Sequence, residues 1–164
     1  MYSNELTTIH INKEHLHFSS AHFTIFSDNH REDLHGHTFY VSAVIDCLVN
    51  KNGIAFDYNL IKDALNKLCS KLDEKVLLPT KSPYLEISQE DEYLVARFGN
   101  ERIPFLPRDV HLMPLRNITA EELAMWFLEE LVKDTPNFAS DISKLVVKVS
   151  SGPGQSAEST WEES

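Results

Sequence analysis

Residues 15–41, HLHFSSAHFTIFSDNHREDLHGHTFYV, form the stretch that decides the fold. In its second half His35 and His37 flank Gly36, and a run rich in β-branched and aromatic residues follows, which predicts a strand. Because side chains alternate along a strand, the two imidazoles should point to the same face. His22 lies at the end of an earlier predicted strand, so the fold can return it to the same place.

The three histidines His22, His35 and His37 have no cysteine near them in the sequence. Three neutral imidazoles are typical of a zinc ion with an open fourth position, where a water or a substrate oxygen is polarised. The spacing alone is a weak signal, because His15 and His17 form a second His-x-His pair. The residues by themselves leave open both a metal site and a set of ordinary surface or core histidines.

The rest of the chain predicts an α+β domain with helices on one face of an antiparallel sheet. One helix follows Asp57, with apolar residues at helical spacing, and a second begins at the Thr119 capping box. A hairpin is expected within residues 84–105, turning at Gly99. The remaining strands are predicted over residues 6–18, 38–49 and 145–149.

Length and composition narrow the class of protein. The 164 residues predict a single domain over residues 1–157, with a mobile tail over 158–164. The formal net charge of −10 disfavours nucleic acid as a partner, and no apolar run reaches the length of a membrane span.

The start of the chain is polar and mixed, so we expect a cytoplasmic protein. Cys47 and Cys69 are expected to be buried thiols.

Five segments, in this order, resemble the 6-pyruvoyltetrahydropterin synthase / 6-carboxytetrahydropterin synthase family over about residues 6–157. They are Phe18-Ser19-Ser20-Ala21-His22-Phe23, Leu34-His35-Gly36-His37, Gly53-Ile54-Ala55-Phe56-Asp57-Tyr58, Leu72-Asp73 and Ile118-Thr119-Ala120-Glu121-Glu122-Leu123-Ala124. The resemblance implies that His22, His35 and His37 are zinc ligands. It also implies the tunnelling fold, with the hairpin as an insertion, and a homo-oligomer, commonly a hexamer with its sites at subunit interfaces.

The family acts on 7,8-dihydroneopterin triphosphate. The resemblance therefore implies a lyase in which zinc acidifies the side-chain hydroxyls of a dihydropterin and a base moves protons. The product stays open among pyruvoyl, carboxy and hydroxymethyl pterins. The pathway stays open among biopterin, folate and queuosine biosynthesis.

Three positions depart from the family pattern. The general-base cysteine is absent, and its place holds Arg31 or Asn29, depending on the spacing that is used. The Asp-His pair after the first helix is Asp73-Glu74. The glutamate that anchors the pterin ring falls at Ser151, a weaker anchor because a hydroxyl makes no bidentate charge-assisted contact.

Glu32 precedes His35 by three residues, which resembles a variant subfamily with glutamate as base and a 6-hydroxymethyl-dihydropterin product. We predict Glu32 as the base, a role that a carboxylate near zinc can take if desolvation raises its pKa. Asp73 and Glu74 are predicted to relay protons, and Ser151 to contact the substrate. The alternative for Glu32 is a solvated loop carboxylate. Two further alternatives are the same fold and zinc site with a non-pterin substrate, and a non-catalytic zinc-bearing oligomer.

Overall fold

The computed structural model describes residues 5–134 and 142–163. A short 3-10 helix, Pro107–Asp109, is also present. In chain order the other elements are β1 (Glu5–Ile11), β2 (His17–His22), β3 (His35–Val49), α1 (Asn59–Leu72), β4 (Lys75–Pro79), β5 (Glu86–Glu90), β6 (Tyr93–Phe98), β7 (Glu101–Phe105), β8 (Val110–Met113), α2 (Ala120–Asp134), β9 (Ile142–Ser150) and β10 (Ser156–Glu162). The predicted α+β class is confirmed.

The main sheet has the strand order β10-β9-β3-β2-β4-β8, and β1 pairs with the second half of β3. The pairs β2–β4 and β4–β8 are parallel, so the sheet is mixed where the sequence predicted an antiparallel one. Parallel neighbours need a long crossover connection. Residues 23–74, which include β3 and α1, connect β2 to β4, and residues 80–109 connect β4 to β8.

Strand β3 is the element on which the main sheet is built. It pairs with β9 along one edge, and with β2 and then β1 along the other. Its inward side chains alternate with outward ones, and every second residue from Phe39 to Cys47 is buried. The predicted strand over residues 6–18 is two strands, because the chain turns at residues 12–16, where the Leu16 N–H donates to the Lys13 carbonyl.

Both helices and the inward face of the main sheet share one hydrophobic core. Helix α1 buries Ile61, Leu65, Leu68 and Leu72, as its apolar stripe predicts. At the centre three aromatic rings stack: Phe18 lies 5.0 Å from Phe39 and 5.8 Å from Phe127, measured between centroids. This core holds β2 and β3 in register just below their histidines.

The predicted hairpin is present as β6–β7, with Gly99 in the left-handed region at φ +55°. Strand β5 pairs with β6 and completes a separate sheet of three strands, which we call the small sheet. Pro104 lies on its edge strand β7, as predicted. The small sheet has its own apolar cluster, in which Phe98 packs with Phe23 and Ile25 from the segment that follows β2.

The predicted tail is instead a strand for most of its length. Strand β10 pairs with β9 from Ser156 opposite Ser150 to Glu162 opposite Lys144. The Gly-Pro-Gly segment before this strand forms a turn, with φ +150° at Gly152 and +92° at Gly154. Trp161 packs against the core, which explains why the last strand is held in place.

Cys47 and Cys69 are both buried and form no disulfide, as predicted. Desolvation raises the pKa of the Cys69 thiol to about 12, with help from the nearby Asp73, so this thiol is protonated and unreactive at neutral pH. Neither α-helix of residues 5–134 and 142–163 combines the length and the hydropathy needed to cross a membrane.

The aromatic stack yields a stability prediction. The change Phe18→Ala removes a fully buried ring that packs against two others, and we expect a loss of about 3–5 kcal/mol in the free energy of unfolding. Tyr93, whose ring is partly exposed on the small sheet, is the control, and Tyr93→Ala should cost at most about 1 kcal/mol. Urea denaturation of the three proteins measures both values, and equal losses would contradict the assignment of the core.

Candidate active site

The pairing of β2 with β3 brings the three histidines together. His22 lies directly opposite His35, and Ser20 lies opposite His37. The ligating atoms of the three imidazoles lie within 4.8 Å of one another, with 3.0 Å between His35 Nε2 and His37 Nε2. Three nitrogens at this separation could hold a single metal ion.

Hydrogen bonds to backbone carbonyls orient two of the rings. His22 Nδ1 donates to the Ile118 carbonyl over 3.0 Å, and His35 Nδ1 donates to the Asp33 carbonyl over 2.7 Å. A carbonyl only accepts, so each Nδ1 carries the hydrogen and each Nε2 keeps its lone pair. Nε2 of His22 is buried yet has no hydrogen-bond partner in the part of the chain that the structure describes, an arrangement that a bound ligand would stabilise.

Burial lowers the pKa of His22 below its ordinary value. The hydrogen bond to Ile118 opposes this shift, and the neighbouring His35 and His37 add to it. His22 is therefore neutral at physiological pH, the form that ligates a metal. The donor set fits a divalent ion such as zinc with an open coordination position.

Asn117 ties the carbonyl that orients His22 to the loop that follows β2. Its Oδ1 accepts from the N–H groups of Ile118 and Ile25, both over 3.1 Å, and its Nδ2 donates to the Ile25 carbonyl over 2.8 Å. Because one side chain holds both backbones, the position of His22 and the position of the loop are set together.

Glu122, in the first turn of α2, also fixes the backbone that precedes Ile118. Its carboxylate accepts from the backbone N–H of Arg116 over 3.0 Å and from the Arg116 guanidinium. The predicted capping box is half formed, because Thr119 Oγ1 accepts from the Glu122 N–H over 3.3 Å, whereas the Glu122 carboxylate turns to Arg116. The first turn of α2 thus anchors the backbone around Ile118.

A cavity of about 420 Å³ lies beside the histidines, a volume typical of sites for small molecules. Its wall includes His22, His37, Glu32, Glu121 and Ser151. The structure therefore places four of the predicted site residues around this cavity: His22, His37, Glu32 and Ser151. His35 lies next to them.

Glu32 is held at the cavity wall by the backbone. Its Oε2 accepts from the Thr24 N–H over 3.0 Å and lies 3.9 Å from His35 Nε2. Burial pushes the pKa of Glu32 upward, but hydrogen bonds from Thr24 and the nearby His35 and His22 outweigh it, so the net shift is downward. The condition of a raised pKa is therefore not met, and the side chain is an ionised carboxylate at neutral pH.

Asp73 and Glu74 do not line the cavity in which Glu32 lies. Asp73 Oδ1 accepts from the Ser19 N–H over 2.8 Å, and the Glu74 N–H donates to the Ser19 carbonyl over 2.8 Å. Both residues thus tie the end of α1 to β2. Glu74 borders a second depression of about 590 Å³, which His37 also borders.

Ser151 lies in the turn between β9 and β10, where its Oγ accepts from Gln155 Nε2 over 3.2 Å. Sequence reasoning missed two other residues of the cavity wall. Glu121 offers a carboxylate that makes no hydrogen bond or ion pair with residues 5–134 or 142–163. Phe26 offers an aromatic ring that is 56% exposed. The capping-box motif next to Glu121 indicates a helix start, and because helix starts often face ligands it is the signal that points to Glu121.

This architecture defines the class of protein: an α+β protein of the tunnelling fold, with a curled mixed sheet, two helices and a histidine cavity sized for a small ligand. The family model described as 6-pyruvoyl tetrahydropterin synthase matches residues 10–162. The chain belongs to this family. Its members are lyases that act on pterins, and the chain is an enzyme of that class.

Relatives and solved structures agree with this assignment. A Methanocaldococcus jannaschii protein named "Putative 6-carboxy-5,6,7,8-tetrahydropterin synthase" is 31% identical over 147 residues, which cover 87% of this chain and 88% of that protein. The 6-pyruvoyl tetrahydropterin synthase of Plasmodium vivax superposes with a TM-score of 0.92 at 26% identity, over 98% of this chain and 100% of the other. A second P. vivax structure, with a TM-score of 0.92 at 25% identity over the same shares, carries a glutamate-to-alanine change and is described as a catalytic residue mutant.

The histidine cluster predicts the stoichiometry of metal binding. After dialysis against zinc, the wild-type protein should retain about one ion per chain, and His22→Ala or His37→Ala should lose it, because each removes one of three ligands. His15→Ala is the matched control, since it alters the exposed second His-x-His pair. Elemental analysis gives the ratio, and equal retention by His22→Ala and wild type would place the metal elsewhere.

Glu122 predicts a pH dependence of stability. Burial pushes the pKa of Glu122 upward, but the bonds from Arg116 bring it below the ordinary value of 4.5. Because the folded state lowers this pKa, the stabilisation is present above 4.5 and is lost as the pH falls through the lowered pKa. We expect Glu122→Gln to cost about 1–3 kcal/mol at pH 7 and less at pH 4.

Chemical denaturation of the metal-free wild type and the Glu122→Gln variant at the two pH values measures this difference. Glu129→Gln, at an exposed position on the same helix, is the control and should show little change at either pH. A cost for Glu122→Gln that is the same at pH 4 and pH 7 would contradict the proposed role of the ionised carboxylate.

Proposed function

We propose that this protein is a zinc-dependent lyase that acts on 7,8-dihydroneopterin triphosphate or a related dihydropterin. The observation that carries the proposal is the buried Nε2 of His22, for which residues 5–134 and 142–163 provide no hydrogen-bond partner. It lies with the His35 and His37 nitrogens beside the carboxylate of Glu32. Family membership supports the pterin, and the donor set supports the zinc.

The proposed reaction assigns one role to the three histidines and another to Glu32. His22, His35 and His37 hold the ion, which when bound supplies Lewis acidity toward a side-chain hydroxyl of the substrate. Glu32 takes up the proton on its carboxylate, which the hydrogen bond from the Thr24 N–H to Oε2 holds in place. Its lowered pKa keeps it ionised and ready to accept at neutral pH.

Recognition of the ring system is assigned to three residues of the cavity wall. Ser151 contributes one hydroxyl, as the sequence predicts. The Glu121 carboxylate accepts two N–H groups from the aminopyrimidinone edge, which supplies the bidentate charge-assisted contact that Ser151 cannot make. Phe26 covers a face of the ring. A pterin therefore remains a suitable substrate although Ser151 occupies the anchoring position.

Two products compete within this proposal. The glutamate described as catalytic in the P. vivax protein supports a carboxylate base, and with it the 6-hydroxymethyl product. The name of the M. jannaschii relative supports a 6-carboxy product. Folate and queuosine biosynthesis are the corresponding pathways. The ionised Glu32 beside the histidines leads us to favour the hydroxymethyl product.

We also propose that the enzyme is a homo-oligomer. Among the described strands, β10 and β8 end the order of the main sheet, so each offers an edge to another copy. A neighbouring subunit could then bring its Asp73 and Glu74 toward the cavity, which they do not line in their own chain. A cytoplasmic location agrees with two buried thiols that form no disulfide.

The proposal predicts the outcome of product analysis. The zinc-loaded protein is incubated with 7,8-dihydroneopterin triphosphate, and the products are separated by chromatography with mass detection. We expect a 6-hydroxymethyl pterin, and we expect Glu32→Gln to lower kcat about 10²- to 10⁴-fold, because it removes the proton acceptor. Asp28→Gln, at an exposed loop carboxylate, is the control and should retain wild-type turnover.

Other outcomes decide between the alternatives. A pyruvoyl or carboxy product that survives Glu32→Gln would move the base to Asp73 or Glu74 of a neighbouring subunit. Zinc binding without turnover of any pterin, together with no pterin affinity, would favour a different substrate. Zinc that changes only thermal stability, with no ligand found, would favour a non-catalytic oligomer.

A further inference from the structure

Arg31 is adjacent to Glu32 in the chain, yet its side chain lies outside the set of residues that line the cavity. Its Nε donates to Glu101 Oε2 over 2.7 Å, and a terminal nitrogen donates to the Glu32 carbonyl over 2.8 Å. The guanidinium also lies over two rings, 4.9 Å from the centroid of Phe23 and 5.8 Å from that of Phe98. The side chain is only 15% exposed.

These contacts join three parts of the protein. Glu101 and Phe98 belong to the small sheet, Phe23 follows the metal-site strand β2, and the Glu32 carbonyl belongs to the loop between β2 and β3. The planar guanidinium suits this position, because it donates in several directions while its faces stack on aromatic rings. A lysine has one point charge and could not make the same set of contacts.

The loop that Arg31 supports is closed on itself. Ile25 pairs with Arg31 in a β-bridge, the Glu32 N–H donates to the Thr24 carbonyl over 2.9 Å, and the Phe26 N–H donates to the His30 carbonyl over 2.8 Å. Glu32 therefore lies at the base of a narrow hairpin. Arg31 holds one side of this base, and the Thr24 N–H holds the carboxylate on the other side.

We propose that Arg31 is a positioning residue that fixes the backbone of Glu32, and that the small sheet serves as its support. The inference rests on the proposed function, in which Glu32 is the base. A base works only within a narrow range of distance and direction, and a misplacement of about 1 Å can cost about 10²-fold in rate. The small sheet thereby acts on the chemistry although it contributes no residue to the cavity wall.

The other ion pairs of the small sheet supply a matched control. Glu90 binds Arg97 and Arg102, and all three residues belong to the small sheet itself. Among the salt bridges of residues 5–134 and 142–163, the Arg31–Glu101 pair is the one that joins the small sheet to the loop. Arg102→Gln thus removes an arginine from the same sheet without touching the loop.

The test compares Arg31→Gln, Arg31→Lys and Arg102→Gln in the zinc-loaded protein. We expect Arg31→Gln to lower kcat about 10- to 100-fold with KM changed less than about threefold, and Arg31→Lys to recover part of the loss. Amide hydrogen exchange at Glu32 and Phe26 should become faster in Arg31→Gln, while exchange in β3 and the zinc content stay at wild-type levels. Arg102→Gln should match the wild type in every measurement.

The double variant Arg31→Gln/Glu32→Gln separates this inference from the proposed function. If Arg31 acts through Glu32, the double variant is no slower than Glu32→Gln alone. A clearly slower double variant, or wild-type kcat and exchange in Arg31→Gln, would overturn the positioning role. If Glu32→Gln keeps wild-type turnover, Glu32 is not the base. A loss of kcat in Arg31→Gln would in that case show that Arg31 does not act through Glu32.

Discussion

The register between β2 and β3 is the constraint on which the rest of the structure depends. It places His22 opposite His35, and a slip by one residue would turn one strand's side chains to the other face of the sheet. The aromatic stack of Phe18 and Phe39 lies on the same two strands and is fully buried. A change of register would therefore expose the stack as well as separate the histidines. The pairing of β2 with β3 thus stabilises both the hydrophobic core and the histidine cluster.

Sequence patterns predicted the features that depend on local periodicity. The His-Gly-His step, the stripe of α1 and the turn at Gly99 follow from spacing and side-chain type, and the structure contains each of them. The direction of β4 and β8 was not predictable in this way, because it depends on the path of the connections between strands and not on local periodicity. The strand at Ser156–Glu162 was missed because its residues are polar, and only its pairing with β9 makes it a strand.

The part of the candidate site whose residues lie close together in the sequence was predictable, and the part that depends on distant residues was not. His22, His35, His37 and Glu32 lie close together in sequence on two strands and the loop between them, so their meeting could be anticipated. Glu121 approaches from α2, nearly ninety residues further along the chain, and no short-range pattern connects it with the histidines. The downward shift of the Glu32 pKa was not predictable, because burial could be guessed from the sequence whereas the hydrogen bond from the Thr24 N–H could not.

In the proposed metal site, the buried Nε2 of His22, which has no hydrogen-bond partner among the described residues, would link metal binding to the folded state. A ligand that binds only the native chain raises the free energy of unfolding by RT ln(1 + [L]/Kd), about 2.7 kcal/mol when the free ligand is a hundred times its dissociation constant. A metal bound at this site would therefore stabilise the folded state, because the three nitrogens meet only when β2 and β3 are paired. Chains without the metal would unfold more often and be degraded faster. The amount of the protein in a cell would then depend on the supply of the metal.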